Sequence, residues 1–404
     1  MQYNPYLDRE KVAAYDVKKK IWRQCVMAFL NAYQEKWCEE HAQEAIELLR
    51  ELGKIPAPSH HEEKRAAYVK AWLESQGAKG VYIDEALNVI YPIGVTENNP
   101  VVVLMAHTDI VFPDMEELKM HEEDGKLYAP GIGDDTANLV TLLMAAKYAA
   151  QHDVKPDIGV VIVANSCEEG LGNLKGSKQI LKSFDGRVKE MISVDGGLHR
   201  VVNVAVGSHR MRVTIHAEGG HSYNRFGNTN AIAQMAQLIN ALYDKKVPTS
   251  AKTTYNVGVI EGGTTVNSIC AECSMLYEYR SESRECLAEM EEFFHQTIDD
   301  HRRLGMNIDV EVLGIRPCTG DVDMEKLGDL TERMKEIMHE YSGNVITATS
   351  GSTDANSALA IGIPSVTIGA MSSMGTHTRG EWVELSSILI GQKISLNVLM
   401  QYLH

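Results

Sequence analysis

The sequence Val-Val-Leu-Met-Ala at residues 102–106 runs directly into His-Thr-Asp at residues 107–109, and Gly-Ile-Gly at residues 131–133 later leads into Asp134. An unbroken apolar run that ends abruptly at an imidazole and a carboxylate is typical of a parallel strand, because both faces of such a strand are buried. In open α/β sheets, sites form at the carboxyl ends of the strands. The stretch therefore predicts an α/β fold with a functional site at the end of this strand.

Composition limits the classes of protein to which the chain can belong. With 404 residues, 44% hydrophobic and 23% charged, we expect a globular protein of two domains. The formal net charge of −16 argues against a nucleic-acid or anionic-membrane partner, since both require a basic surface. We also expect no membrane span, because no run reaches roughly 18 apolar residues, and no secretory signal.

The cysteines favour a cytoplasmic location. There are seven, scattered along the chain, which suits a reducing compartment better than a disulfide framework. Cys270 and Cys273 form a C-x-x-C motif, but it has no second pair and lies in an alternating, strand-like stretch. We interpret these two residues as packing residues rather than as a zinc or redox site.

The order of predicted elements indicates an insertion. Residues 1–207 alternate strands and helices after an amphipathic helical extension at residues 1–37, which predicts the first part of a catalytic domain with a parallel sheet flanked by helices. Residues 208–316 show the order β-α-β-β-α-β, which predicts an inserted ferredoxin-like α+β domain. We expect the exit hinge at Arg316-Pro317, and residues 317–404 resume the α/β pattern.

Acidic side chains and imidazoles follow several of the apolar strands and turns. His107 and Asp109 are two positions apart and therefore share one face of an extended strand, although this pair alone also fits a simple hydrogen-bonded contact. Asp134 and Asp135 follow a glycine turn, where a helix cap is an alternative explanation. The others are Glu168 and Glu169 after the strand at 158–164, Asp195 after the strand at 191–194, and His377 between two glycines. Together they form the mixed nitrogen and oxygen donor set of a two-zinc hydrolytic site.

The chain also contains a set of short motifs that follow one another in a fixed order. They are H-T-D (107–109), G-x-G-D-D-x-A (131–137), C-E-E-G (167–170), V-D-G-G (194–197), G-G-H-S with G-N-T-N-A-I (219–232), T-D-A (353–355), G-I-P (362–364) and G-T-H-x-x-x-E (375–381). This set resembles the co-catalytic zinc peptidase family that includes tripeptide aminopeptidase, carnosinase-type dipeptidases, carboxypeptidase G and acetylornithine deacetylase. The resemblance covers roughly residues 42–403 and implies a zinc-exopeptidase fold with a lid and dimerisation domain.

The resemblance implies a role for each matched residue. His107 and Asp195 would bind one zinc ion, Glu169 and His377 the other, and Asp134 would bridge them, with Co²⁺ or Mn²⁺ as possible replacements. Asp109 would orient His107, and Glu168 would be the general base on a metal-bridging water. His221 would reach across a homodimer to stabilise the oxyanion, and Asn267 and Arg280 would bind the polar or carboxylate end of the substrate. Because the glycine turn is one residue shorter than usual, whether Asp134 or Asp135 bridges stays open.

Two features favour different substrates. The His221 loop resembles that of deacylases and carboxypeptidases, whereas an aspartate at position 195 accompanies aminopeptidases and dipeptidases in this family. We give more weight to Asp195, because this residue would bind the metal. We therefore predict amide hydrolysis of short peptides by a di- or tripeptide aminopeptidase-like exopeptidase. The alternative on the same site is an N-acyl-amino-acid deacylase or carboxypeptidase. A non-catalytic, metal-stabilised binding protein is disfavoured, because it has no use for Glu168 beside the ligand Glu169.

Overall fold

The computed structural model describes residues 28–404. The prediction of a helical extension therefore lies mostly outside the described residues. Within them, the chain begins with three helices, α1 (Ala32–Glu40), α2 (Ala42–Lys54) and α3 (Glu63–Ser75). The side chain of Asn31 caps α1 by accepting hydrogen bonds from the N–H groups of Tyr33 and Gln34.

The first half of the main domain contains most of its sheet. Its elements are β1 (Tyr82–Ile83), β2 (Val89–Ile93), β3 (Val101–His107), β4 (His121–Glu123), β5 (Lys126–Tyr128), α4 (Asn138–Gln151), β6 (Gly159–Asn165), α5 (Lys175–Ser183), β7 (Val188–Val194) and β8 (Arg200–Ala205). Every residue of β3 and β6 is buried. Since both faces of these strands are covered, the strands can be apolar without alternation.

The inserted segment, which we call the lid, forms a second sheet. Its elements are β9 (Gly207–His216), β10 (Gly220–His221), α6 (Ala231–Tyr243), β11 (Thr253–Gly262), β12 (Ser268–Ile269), β13 (Glu272–Ser281), α7 (Arg284–Arg303) and β14 (Asn307–Arg316). The antiparallel sheet has the order β11-β13-β9-β14. Burial alternates along β13, because one face of this sheet packs on α6 and α7 around residues such as Tyr277 and Phe294.

The chain then returns to the main domain. The remaining elements are α8 (Met324–Ser342), β15 (Thr347–Gly351), α9 (Ala355–Ala360), β16 (Ser365–Ile368), β17 (Ser373–Met374), β18 (Trp382–Glu384) and α10 (Ser387–Met400). The main sheet has the order β1-β2-β6-β3-β7-β16-β8-β15, and its central strands β6, β3, β7 and β16 are parallel. A small sheet, β17-β18-β5-β4, lies beside it.

Apolar side chains cover both faces of the main sheet. Leu104 belongs to the larger core, which includes α4, α8 and α10, whereas Val103 and Met105 belong to a smaller core with α5. This arrangement confirms the predicted fold class, a mostly parallel sheet flanked by helices with an inserted α+β unit. None of the helices in residues 28–404 is long and apolar enough to cross a bilayer.

Candidate active site

Five segments of the main domain carry the predicted metal ligands to one place. His107 is the last residue of β3, while Glu169 follows β6 and Asp195 follows β7, so these three lie at the same edge of the sheet. Asp134 lies in the turn before α4, and His377 lies in the loop between β17 and β18. In the described part of the chain, three overlapping groups have candidate ligand atoms within 4.8 Å of one another: His107 with Asp135 and Asp195, His107 with Glu168 and Glu169, and Asp134 with Glu169 and His377. The structure thus brings all five predicted ligands together.

The carboxylate of Asp134 lies between two imidazoles. Its Oδ1 is 3.1 Å from Nε2 of His107, and its Oδ2 is 3.2 Å from Nε2 of His377. Burial opposes ionisation of this carboxylate, but hydrogen bonds from the two rings outweigh burial and lower the pKa of Asp134. A carboxylate that offers one oxygen to each of two imidazole-bearing centres has the arrangement required of a bridging ligand.

Asp135 differs from its neighbour because both of its oxygens have protein partners. Oδ2 accepts a hydrogen bond from the backbone N–H of His107 at 3.1 Å, and Oδ1 accepts one from Nδ2 of Asn138 at 2.7 Å. Burial, together with the charges of Asp195 and Asp134, raises the pKa of Asp135 well above its usual range. These contacts tie Asp135 to the end of β3 and to α4, whereas the two oxygens of Asp134 face imidazole nitrogens.

Asp109 contacts His107 and also holds the segment that follows β6. Nδ1 of His107 is 3.0 Å from the backbone carbonyl oxygen of Asp109 and 3.5 Å from its Oδ1. Its carboxylate accepts hydrogen bonds from the backbone N–H groups of Glu168 and Glu169, each at 2.9 Å, and from Oγ of Ser59 at 2.7 Å. Since Nδ1 of His107 faces an acceptor, a neutral ring would keep its proton there and would offer Nε2, the nitrogen beside Asp134, to a metal ion.

Glu168 and Glu169 point to different partners. Oε1 of Glu169 is 3.1 Å from Nε2 of His377, whereas Oε1 of Glu168 accepts a hydrogen bond from Nη1 of Arg316 at 3.0 Å. Both glutamates are buried. Burial and the neighbouring charges of Asp134 and Glu168 raise the pKa of Glu169 to about 7. The two adjacent carboxylates are therefore placed for different tasks.

Negative charge accumulates in this site without enough protein cations to balance it. Burial and the charge of Asp134 raise the pKa of Asp195 well above its usual range. Burial opposes protonation of His107, but the carboxylates of Asp135, Asp109 and Asp134 outweigh it and raise the pKa of this imidazole well above its usual range. Hydrogen bonds to Asp134 and Glu169 raise the pKa of His377 to about 10. A buried group of carboxylates that draws protons to itself in this way is suited to bind metal cations, which compete with those protons.

The sequence did not reveal three further residues that shape the site. Glu381 is fully buried and accepts hydrogen bonds from the backbone N–H groups of Gly131, Gly133 and Asp134 at 3.1, 2.8 and 2.7 Å. Pairing of β18 with β5 places Glu381 there. Glu381 is the final glutamate of the G-T-H-x-x-x-E motif, and this motif was the signal in the sequence that could have identified it. Arg316, noted above only as part of a hinge, is the second.

The third residue, Arg65, lies behind the end of β3 and is fully buried. Its Nη1 donates hydrogen bonds to the backbone carbonyl of Thr108 at 2.8 Å and to Oγ1 of Thr136 at 3.1 Å. Arg65 thus joins the strand that bears His107 to the turn that bears Asp134. No local sequence pattern distinguishes Arg65 from the other basic residues of its helix, Lys64 and Lys70.

In the part of the chain that the structure describes, the three predicted residues of the lid form no side-chain hydrogen bond with this cluster. Among the described residues, the side-chain hydrogen bonds of His221, Asn267 and Arg280 stay within the lid. Nδ1 of His221 accepts from the backbone N–H groups of Tyr223 and Asn224 at 3.3 and 3.4 Å, which leaves the proton of the neutral ring on Nε2. His221 and Asn267 are neighbours, because the backbone N–H of Ser222 donates to the carbonyl of Asn267.

Arg280 forms a two-pronged contact with Glu278, at 3.0 and 2.9 Å. Glu278 also lies 3.5 Å from Nε of Arg210, and Arg210 donates a hydrogen bond to the carbonyl oxygen of Gly170, directly after the two site glutamates. This is a direct contact between the lid sheet and the loop that carries Glu168 and Glu169.

Comparison with known proteins agrees with this geometry. Residues 103–401 match the model of peptidase family M20/M25/M40. The acetylornithine deacetylase of Myxococcus xanthus is 25% identical over 347 residues, which cover 80% of this chain and 87% of that protein. Among solved structures, aminopeptidase PepT of Bacillus cereus is similar with a TM-score of 0.64 and 20% identity, covering 89% of this chain and 98% of that one.

A second solved structure is the YXEP protein of Bacillus subtilis, described as a dinuclear metal binding peptidase, with a TM-score of 0.60, 15% identity and coverage of 90% and 99%. The family match confirms the resemblance drawn from the motifs, although the family model begins at β3 rather than at residue 42. Since that match spans most of the sequence, the chain belongs to peptidase family M20/M25/M40 and is a hydrolase.

Proposed function

We propose that this chain is a dinuclear zinc metallohydrolase that cleaves an amide bond of short peptides, as a di- or tripeptide aminopeptidase-like exopeptidase. The observation that carries the proposal is the position of the Asp134 carboxylate, which lies between the imidazoles of His107 and His377. Glu169 and Asp195 extend this arrangement on either side. Among the described residues the donor groups overlap, because Glu169 belongs both to the group of His107 and to the group of Asp134 and His377.

The donor chemistry fits zinc. His107 and Asp195 would hold one ion, Glu169 and His377 the other, and Asp134 would contact both. Imidazole and carboxylate donors suit zinc, and they also accept Co²⁺ or Mn²⁺. Divalent cations would stabilise the ionised forms of Glu169 and Asp195, whose pKa values are raised by burial and by neighbouring carboxylates. When bound, such ions supply Lewis acidity, which polarises the scissile carbonyl and makes water a better nucleophile.

The chain's own residues would move the proton. Glu168 would accept a proton from the attacking water and deliver it to the leaving amine, as a general base and then a general acid. Its carboxylate has an oxygen within 4.8 Å of donor atoms of both His107 and Glu169, so it faces the space in which the water would lie. Asp109 fixes the His107 ring from behind and holds the backbone N–H of Glu168.

The lid would contribute to substrate binding and to the oxyanion. His221 presents Nε2–H to solvent, and such a donor, once aimed at an oxyanion, is typically worth about 2.7–4 kcal/mol. Its hydrogen bonds stay within its own lid, which supports delivery of the ring to the site of a second copy in a homodimer. Asn267 and Arg280 would bind the polar or carboxylate end of the substrate.

The outer strand of the lid supports dimerisation. β11 lies at the edge of its sheet, and its side chains Val259 and Ile260 are exposed. An exposed apolar edge strand is a surface that proteins normally cover. A cytoplasmic location is also proposed, supported by six free, buried cysteines in residues 28–404.

A second activity on the same site is an N-acyl-amino-acid deacylase or carboxypeptidase. It is favoured by the likeness to an acetylornithine deacetylase, whereas Asp195 favours the aminopeptidase. A panel of free-amine di- and tripeptides and N-acetyl amino acids separates the two, because an aminopeptidase requires the free amine that a deacylase substrate lacks. Turnover of only N-acyl substrates would overturn the primary proposal in favour of the second.

The metal assignment needs its own experiment. An anomalous-scattering map of zinc-loaded crystals should show two peaks, one between His107 and Asp195 and one between Glu169 and His377, with Asp134 between them. A single peak, or peaks elsewhere in the molecule, would contradict the dinuclear site.

A further inference from the structure

Arg316 is a buried arginine in direct contact with the proposed general base. Its side chain and that of Glu168 are 6% and 7% exposed, and Nη1 lies 3.0 Å from Oε1 of Glu168. Nη2 donates to the backbone carbonyl oxygen of the same glutamate. Nη1 also reaches the carbonyl oxygen and hydroxyl of Ser352, at 3.2 and 3.3 Å. One guanidinium group therefore holds both the side chain and the backbone of Glu168.

The backbone N–H group of Glu168 is also held in place. Its backbone N–H donates to Oδ1 of Asp109 at 2.9 Å. With N–H, carbonyl and one carboxylate oxygen all occupied, the carboxylate can turn only by breaking its contact with Arg316. The second oxygen, Oε2, is the one left for proton transfer.

Arg316 also occupies a particular place in the chain. It is the last residue of β14, where the lid returns to the main domain, and it pairs across the sheet with Ser208, near the start of β9. The two strands that connect the lid to the main domain thus lie side by side at this point. An arginine here connects the position of the lid to the position of the base.

We propose that Arg316 is a positioning residue for Glu168: it sets which carboxylate oxygen faces the metal-ligand cluster and holds it there from the lid connection. The proposal rests on the proposed function of Glu168. A general base contributes only when it lies within hydrogen-bond reach of the proton that it removes. Loss of the guanidinium should therefore reduce the chemical step much more than substrate binding.

The test compares Arg316→Ala with Arg333→Ala. Arg333 is a matched control, because its guanidinium also bonds a glutamate, Glu190, at 2.6 Å and also has a buried Nε without a hydrogen-bond partner in the described structure. We expect Arg316→Ala to lower kcat by about 100-fold, toward the lower end of what a general base contributes. KM and the zinc content should change less than threefold. Added guanidinium should restore kcat in this variant, whereas Arg333→Ala should lose stability only.

A double-mutant cycle separates positioning from stability. If Arg316 acts through Glu168, Arg316→Ala should cost almost nothing further in a Glu168→Gln background, since coupled residues are non-additive. Additive losses, or a fall in kcat that tracks zinc loss, would overturn the proposal. A wild-type enzyme inactive on every substrate would refute the proposed function instead. A crystal structure of Arg316→Ala tests the positioning directly. A Glu168 side chain that keeps its wild-type position in this variant would contradict the proposal.

Discussion

Replacing Glu381 should disable the turn that carries Asp134, although Glu381 touches no substrate. Its carboxylate is the common acceptor for three backbone N–H groups of that turn, those of Gly131, Gly133 and Asp134. Burial raises the pKa of Glu381 to about 7, so at pH 8 the carboxylate is ionised and its hydrogen bonds are charge-assisted. We expect both Glu381→Gln and Glu381→Ala to weaken metal binding and stability, the alanine variant more.

The size of the effect follows from the three bonds. In Glu381→Ala three buried N–H groups lose their acceptor, and at about 1–3 kcal/mol for each unsatisfied donor the loss is roughly 3–9 kcal/mol. In Glu381→Gln the amide oxygen can still accept from Gly133 and Asp134, which both bond Oε1. The amide nitrogen then faces the N–H of Gly131, which leaves one orphaned donor and two weakened bonds, about 2–4 kcal/mol in all. Since domains are stable by only about 5–15 kcal/mol, the alanine variant should be near unfolding at 25 °C.

Urea denaturation at pH 8 measures the free energy of unfolding, and zinc titration of the purified variants measures affinity. Glu190→Gln is the control, because Glu190 accepts from Arg333 near the start of β7, whereas the ligands follow the ends of the strands, so this change should affect stability without affecting zinc affinity. A Glu381→Gln variant that keeps wild-type stability and zinc affinity would refute the reasoning, since the turn would then not depend on this carboxylate.

Three further predictions follow from the site. Asp134→Asn should reduce zinc to one ion per chain or fewer, whereas Asp135→Asn should retain both, as measured by atomic absorption; the opposite result would make Asp135 the bridging residue. Glu168→Gln should keep both ions and lower kcat by about 10²–10⁴-fold, and an active variant would remove this residue as the base. Burial raises the pKa of Asp354 to about 7; since an unfolded aspartate ionises near pH 4, the native state binds the extra proton and its stability declines as pH rises from about 4 to 7. Asp354→Asn should reduce the fall in Tm between about pH 4 and pH 7. An unchanged dependence of Tm on pH would contradict the raised pKa of Asp354.

The features predicted from sequence were those encoded by local patterns. β3 and α4 were predicted to within a residue or so at each end, because an unbroken apolar run and an apolar helix leave few alternatives. The strand-end acids and imidazoles were likewise visible, since each follows a buried strand or a glycine turn. The β4–β5 hairpin was not predicted, because β4 is a polar, exposed trio with no alternation.

Residues that act over long sequence separations were also missed. β8 and β15 pair with each other at the sheet edge, and neither was predicted as a strand. Arg316 and Glu381 bond partners that lie 148 and 247 positions away in the chain. No periodicity within one segment records such a contact, since it depends on how the lid and the small sheet return to the main domain. The choice between Asp134 and Asp135 was open for the same reason, because only the folded turn shows which oxygens are already bonded.

The position of β16 in the main sheet bears on how the protein is made. This late strand inserts between β7 and β8, which are consecutive in the chain. When translation has reached the end of the lid, the main sheet therefore still lacks β16 between β7 and β8, and the site still lacks His377. The strands of the lid follow one another in the chain, so the lid is free to fold first, whereas the main domain must wait for β16 and His377. Termination between the end of β14 and the start of β16 thus leaves a chain that contains the whole lid but lacks both β16 and His377.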